Sequence, residues 1–310
     1  IIGCDCVNKG YGLVLNGGGA KGAYQIGAWA ALRQLELYDE ITAVSGTSVG
    51  ALNALLISQD DFDKAINVWK TIKQEDITPF GSKNSGTENI LDISRKAMEK
   101  IDTLGVDPNG FANAVAKILP LGKDIVKSRM TDIYKVVFDT KGFCSQEGLE
   151  NILRENINLE SLRAGRTVYA CASKISENEL FTPYYFMLNK EEKEKIIEIA
   201  LASSAIYPVY GTKKINGELY LDGGFSDNVP IQPLYDIGYR KFIIIYLTNR
   251  KIPDKSKYKD CKFIEVIPDE TMKDDMYTVI NFERTVLDKY MEKGYHDTMV
   301  EFISRGFKRK

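Results

Sequence analysis

The chain has 310 residues, 44% of them hydrophobic and 27% charged, with 41 basic against 43 acidic side chains and a formal net charge of -2. That is the composition of a globular protein with a sizeable core, and so even a balance of charge carries no electrostatic footprint for nucleic acid. The longest apolar run, Phe242 to Leu247, falls far short of the roughly 20 residues that cross a bilayer, so membrane contact is expected to be peripheral.

Five cysteines (Cys4, Cys6, Cys144, Cys171 and Cys261) are odd in number and scattered. They do not form a disulfide framework, which favours a reducing, cytoplasmic setting. Cys4 and Cys6 lack a second pair at ligand spacing, so no metal site is expected there. Ile1-Ile2-Gly3-Cys4 resembles the end of a bacterial lipoprotein signal and the chain begins without Met. The alternative setting is therefore an exported lipoprotein with a segment upstream.

Tyr11 to Asn16 reads as an apolar strand, followed by a helix with Ile26, Trp29, Ala30 and Leu37 on one face. Ile41 to Ser45 makes a second strand, and Leu52, Leu55 and Leu56 mark a second buried helix. This βαβα opening predicts an α/β fold, a mainly parallel central sheet flanked by helices on both faces. From about residue 76 to 160 polar loops (Gly81 to Thr87) and helical stretches (Ile90 to Ile101, Phe111 to Ile118) predict a helical insertion. Strands are expected again at Thr167 to Ala172 and Glu179 to Phe186, then a helix from Lys190 to Ser204 with an acidic first turn. Lys213 to Leu221 carries Asn216-Gly217 between alternating residues, the signal of a type I′ hairpin. Lys241 to Thr248 and Lys262 to Ile267 read as strands, and Val279 to Phe307, within a C-terminal part around 271–310, as helix broken at Gly294. The whole is expected to form one domain over residues 1–310.

Three sites carry chemistry. Gly46-Thr47-Ser48-Val49-Gly50 matches G-x-S-x-G and joins a predicted strand to a predicted helix, a turn that exposes a serine hydroxyl. Its plain alternative is a glycine-rich turn without chemistry. Gly17-Gly18-Gly19-Ala20-Lys21-Gly22 follows the first strand, and residues without side chains there expose backbone N–H groups to an anion. Both an oxyanion hole and a dinucleotide pyrophosphate site want such donors, and Asp39 or Glu40 lies near the spacing of a ribose-binding acid. Lys21 itself reads as a local positive charge or a surface residue at the helix start. Asp222-Gly223-Gly224 ends the hairpin strand, where an aspartate faces a cleft or merely forms an Asx turn.

The chain has one histidine, His296. The order Ser48, Asp222, His296 matches the triad of α/β-hydrolases, but His296 falls in a stretch of helical character and not in a loop after a final strand. A conventional triad is the weaker reading.

In this order the three sites resemble the patatin-like phospholipase family, whose pattern is a glycine-rich loop with a basic residue, then G-x-S-x-G, then D-G-G or D-G-A. Ala202-Ser203-Ser204-Ala205-Ile206-Tyr207-Pro208 and Asp227-Asn228-Val229-Pro230 look like the family's segments around the catalytic aspartate. The resemblance covers roughly residues 10 to 250. It implies a lipid acyl hydrolase with a Ser48–Asp222 dyad, an oxyanion hole formed by Gly18, Gly19, Ala20, Lys21 and Gly22, no cofactor and no metal. It also implies a phospholipid or other acyl-ester lipid as substrate. An aspartate near its reference pKa of about 3.9 is a poor base, so the site has to raise that pKa or move the proton in concert with attack. The two other readings are a nucleotide-binding protein using the Gly17–Gly22 loop and a non-catalytic lipid-binding regulator on the same fold.

Overall fold

A computed structural model of the chain describes residues 9–78, 142, 144–176, 181–207, 209–250, 252–273 and 276–308. Eight strands join in one sheet: β1 (Tyr11–Leu15), β2 (Ile41–Thr47), β3 (Thr167–Ile175), β4 (Thr182–Met187), β5 (Lys213–Ile215), β6 (Glu218–Asp222), β7 (Lys241–Ile245) and β8 (Lys262–Val266). Their order is β5-β6-β3-β2-β1-β7-β8, with β4 paired to β3 off this path. The run β3-β2-β1-β7-β8 is parallel throughout, and β4, β5 and β6 join antiparallel.

The central strands are continuous apolar runs because both faces of the sheet are covered. Leu13, Leu15, Ile243 and Ile245 enter one core, while Val14, Phe242 and Ile244 enter the other, as the two-residue period of a strand requires. The larger core holds helices α1 (Ala23–Gln34) and α2 (Val49–Ser58) together with the C-terminal helix Arg284–Ser304. The smaller is closed by the short helix Gln232–Asp236 and by Val229, Ile231, Tyr239 and Tyr258.

Two local expectations are corrected. Helix α1 has no polar face: nine of its residues, including Tyr24, Gln25 and Trp29, are buried, and Leu37 lies beyond its end. It packs along the C-terminal helix, and its other buried side chains enter the larger core, so it is covered on more than one side. Nor is there a break at Gly294, because the helix Arg284–Ser304 runs straight through it. A Cβ on Gly294 would lie 1.9 Å from the Tyr24 carbonyl oxygen, and one on Gly27 would lie 1.8 Å from that of Met291. These glycines let two helix backbones touch; Gly294 is a packing residue, not a helix breaker.

The insertion read at residues 76–160 falls largely on 79–141, outside the described residues, as do its helices at Ile90–Ile101 and Phe111–Ile118. On its flanks stand the helices Gln74–Ile77, Glu147–Asn156 and Leu159–Ala164. The hairpin turn is as expected, Asn216 and Gly217 having φ of 52° and 85°, the double positive of type I′.

One feature of the sheet positions the site. Strand β2 runs up β3 and ends with Thr47 opposite Cys171, while antiparallel β6 runs down it and ends with Asp222 opposite Ala172. The two strands meet end to end, which brings the residues that follow Thr47 to Asp222 across 174 residues of sequence.

Candidate active site

Ser48 occupies the single position between β2 and α2, with φ 56° and ψ -128°. A non-glycine residue with this backbone is strained, and such strain persists only where the surroundings enforce it. Here they do. The Ser48 N–H donates to Ser203 Oγ at 3.0 Å, and the Ser203 hydroxyl donates in turn to the Cys171 carbonyl at 2.6 Å. The Thr47 hydroxyl is fastened to the Asp227 carbonyl at 2.8 Å. Past the turn, Gly50 passes so near β1 that a Cβ would lie 2.2 Å from the Leu15 carbonyl oxygen.

Asp222 ends β6 and is buried. Its carboxylate accepts the Gly224 N–H at 2.8 Å, and it shares one cavity wall with the Ser48 hydroxyl, near enough for that hydroxyl to act on its ionisation. The Asx turn and the cleft-facing aspartate are therefore the same residue doing both. Burial pushes its pKa up to about 6, against the opposing pull of the Ser48 hydroxyl and the Gly224 N–H.

The glycine loop follows β1 and closes the third side. Gly17 donates its N–H to Asn228 Oδ1 at 3.1 Å, and Asn228 Nδ2 donates back to the Gly17 carbonyl at 3.4 Å. Gly19 has φ 56°, and a Cβ there would lie 2.0 Å from the Val279 carbonyl oxygen, so only glycine fits. Gly18 and Gly19 line the cavity beside Ser48, whereas Ala20, Lys21 and Gly22 do not line it and are buried in the 3-10 turn behind them. Lys21 is not the surface residue its charge suggests: it is 1% exposed, and its ammonium donates to the Lys273 carbonyl at 3.5 Å.

Ser48, Asp222, Gly18 and Gly19 open onto one cavity of about 250 Å³ whose walls include Leu52, Trp69, Ile77, Leu149, Val279 and Phe282. The lining is mainly apolar, with Ser48, Ser204, Asp222 and Asn228 as its polar members. Tyr185 and Asp227, joined at 2.6 Å, stand to one side and are not part of the lining.

His296 is on the C-terminal helix with its side chain 73% exposed, and it does not line this cavity. Asp39 and Glu40 lie in the turn before β2, at the N-terminal end of a strand parallel to β1. The glycine loop leaves the C-terminal end of β1, so these acids lie across the sheet, on the order of 20 Å away for strands of this length. They cannot serve as the ribose-binding acid of a dinucleotide site. Among the described residues no three His, Cys, Asp or Glu side chains converge as metal ligands, and no helix is long and apolar enough to cross a membrane. Sequence reasoning quoted Ser203 and Asn228 within family-like segments but gave them no task. Their partners, Ser48 and Gly17, lie 155 and 211 positions away.

A curated relative, the uncharacterized protein YjjU of Escherichia coli strain K12, is 23% identical over 249 residues, 79% of this chain and 53% of its own. The chain thus spans about half the length of that relative. Among solved structures, VipD from Legionella pneumophila aligns with 96% of this chain and 67% of its own at 16% identity and a TM-score of 0.50, a likeness of fold. Human GIVD cytosolic phospholipase A2, solved in complex with methyl gamma-linolenyl fluorophosphonate, aligns with 96% of this chain and 57% of its own at 12% identity and a TM-score of 0.45. The model of the patatin-like phospholipase family matches residues 13–235, from β1 past the Asp222 turn. The chain belongs to the patatin-like phospholipase family.

Proposed function

We propose that the protein is a lipid acyl hydrolase, a phospholipase A-type or related carboxylic ester hydrolase, working through an acyl-serine intermediate. The observation that carries this reading is the buried Asp222 carboxylate set beside the Ser48 hydroxyl at the wall of one largely apolar cavity. Asp222 takes the Ser48 proton as Oγ bonds to the ester carbonyl carbon, and the oxyanion is held by the N–H groups of Gly18 and Gly19. Of the loop expected to form the oxyanion hole, Ala20, Lys21 and Gly22 then act as support. Collapse breaks the ester C–O bond, and the leaving alcohol carries away the proton from Asp222. Water attacks the acyl-serine, gives a proton to Asp222, and releases the acid as Ser48 takes that proton back.

A base with a pKa near 6 is a better acceptor at neutral pH than one near 4, which supports the dyad without an imidazole. The acyl chain lies along the apolar walls, and the membrane contact needed to collect a lipid is peripheral. The test is covalent labelling by an alkyl fluorophosphonate, with adduct mapping by mass spectrometry, beside a panel of acyl esters of varied head group and chain length. We expect the adduct on Ser48 and hydrolysis that Ser48→Ala abolishes. An adduct on another residue, or ester turnover that survives Ser48→Ala, would sink the assignment.

A further inference from the structure

Beneath the glycine loop runs a chain of buried amide side chains that the catalytic reading leaves without a task. Asn53, on the helix that follows Ser48, donates from Nδ2 to the Gly22 carbonyl at 3.0 Å and to Gln25 Oε1 at 2.8 Å. Gln25, on α1, donates from Nε2 to the Asn16 carbonyl at 2.8 Å. Asn16 Oδ1 accepts the Leu247 N–H at 2.6 Å, fastening the same corner to the end of the β7 segment. On the far side, Asn53 Oδ1 accepts the indole N–H of Trp69 at 2.8 Å. Asn53 and Gln25 are both 0% exposed.

Uncharged amides cost free energy to bury unless they are fully paired, and the apolar residues of a core would fill these positions without that constraint. Each side-chain N and O of these two amides has a hydrogen-bond partner, and two of their bonds fall at special places. Asn16 immediately precedes the glycine loop and Gly22 ends it. The two amides therefore grip the loop at both ends, from two different helices, while its middle carries Gly18 and Gly19. The Trp69 ring lines the cavity and stacks on Phe282, with centroids 6.4 Å apart and planes inclined by 17°. Through it the grip reaches the cavity wall.

We propose that Asn53 and Gln25 are positioning residues for the glycine loop, holding both its ends and tying its geometry to the cavity wall through Trp69. The inference rests on the hydrolase reading, in which Gly18 and Gly19 supply the oxyanion donors. Removing the Gln25 amide lets the loop relax without altering the walls that receive the acyl chain, whereas removing the Asn53 amide also takes the acceptor from the Trp69 indole in that wall. For Gln25 the loss then falls on turnover and not on substrate affinity, because a misplaced donor weakens the transition state selectively.

The experiment measures kcat and KM of the full chain on p-nitrophenyl butyrate and p-nitrophenyl dodecanoate. Wild type is compared with Asn53→Leu, Gln25→Met, the double variant and Trp69→Phe, with folding checked by circular dichroism. We expect kcat to fall on the order of 10²-fold in each amide variant, with KM within about twofold in Gln25→Met, which leaves the Trp69 bond in place, and the double variant to lose far less than the product of the two. Trp69→Phe keeps an aromatic ring in the cavity wall but removes the N–H, and should lower kcat several-fold on both esters. Should Asn53→Leu fail to fold, Gln25→Met and Trp69→Phe decide the matter alone. Folded variants with normal kcat, losses confined to KM, or losses that simply multiply would overturn the proposal. Wild-type protein that hydrolyses neither ester and takes no fluorophosphonate at Ser48 would instead overturn the hydrolase reading beneath it.

Discussion

Thr47 and Asp222 stand opposite consecutive residues of β3, Cys171 and Ala172, on strands that approach from opposite directions. The serine after Thr47 and the carboxylate of Asp222 are thus brought together by the backbone ladder itself. Ladder register is set by many hydrogen bonds, so the pair is held by the sheet and not by two mobile side chains.

The first prediction separates a dyad from a triad. Asp222→Asn keeps the shape of the side chain and removes the proton acceptor, so its turnover on a soluble ester should approach that of Ser48→Ala. His296 is exposed and outside the cavity, and His296→Ala should turn over at near wild-type rate. Residues that act as one unit fail together, so a folded but inactive His296→Ala protein would reinstate the triad.

The second prediction concerns the loop. Gly19 has both a positive φ and the Val279 carbonyl oxygen where a Cβ would go, whereas a Cβ on Gly18 would meet the flexible side chains of Leu247 and Lys21 at 3.0 Å or more. Gly19→Ala should therefore cost roughly 10²-fold or more in turnover and also lower the melting temperature, since it displaces the segment lying over the loop. Gly18→Ala should be milder on both counts. Equal effects at the two positions would show that contact with Val279 is not what restrains the loop.

A third prediction runs against helix propensity. In an exposed helix interior, glycine to alanine stabilises by about 1 kcal/mol. Gly294 sits against the backbone of Tyr24, and overpacking of that kind costs roughly 1–3 kcal/mol and occasionally more. The clash wins, so Gly294→Ala should lower the melting temperature by several degrees. A rise measured by thermal denaturation would mean that the two helices are not in backbone contact.

What was legible in the sequence follows from how local each feature is. Strand and helix alternation, the apolar runs at Leu13 to Leu15 and Phe242 to Ile245, and the Asn216-Gly217 turn are written in neighbouring residues. They gave the sheet and its flanking layers. Ser48, Asp222 and the glycines also stand in short motifs with turn chemistry of their own. Asn53 and Gln25 do not, because their hydrogen-bond partners come from other elements and an amide in an apolar helix looks like noise, and Ser203 and Asn228, though they stand in family-like segments, bond Ser48 and Gly17 from 155 and 211 positions away. Gly294 and Lys21 misled for the opposite reason. Local propensity says breaker and surface, and tertiary packing overrides both.

The last prediction uses the raised pKa of Asp222, about 6 in the folded chain against an ordinary 3.8. Between about pH 4 and pH 6 the folded state keeps a proton that the unfolded chain has already released. Stability therefore falls as pH rises through this window, by at most roughly 3 kcal/mol, and the penalty stays in full above pH 6. Asp222→Asn carries no such charge. It should melt higher than wild type at pH 8, and the difference should close as the pH drops below about 4. Activity moves the other way, because the base has to be ionised: kcat/KM should climb through about pH 6 to a plateau, and His296→Ala should leave that profile in place. The destabilised carboxylate and the working base are then the same group, stability being given up where activity is gained. Thermal melts and pH–rate profiles on these variants check both halves. A flat profile from pH 5 to 8, or an Asp222→Asn protein that melts lower than wild type at pH 8, would contradict the role given to the buried carboxylate.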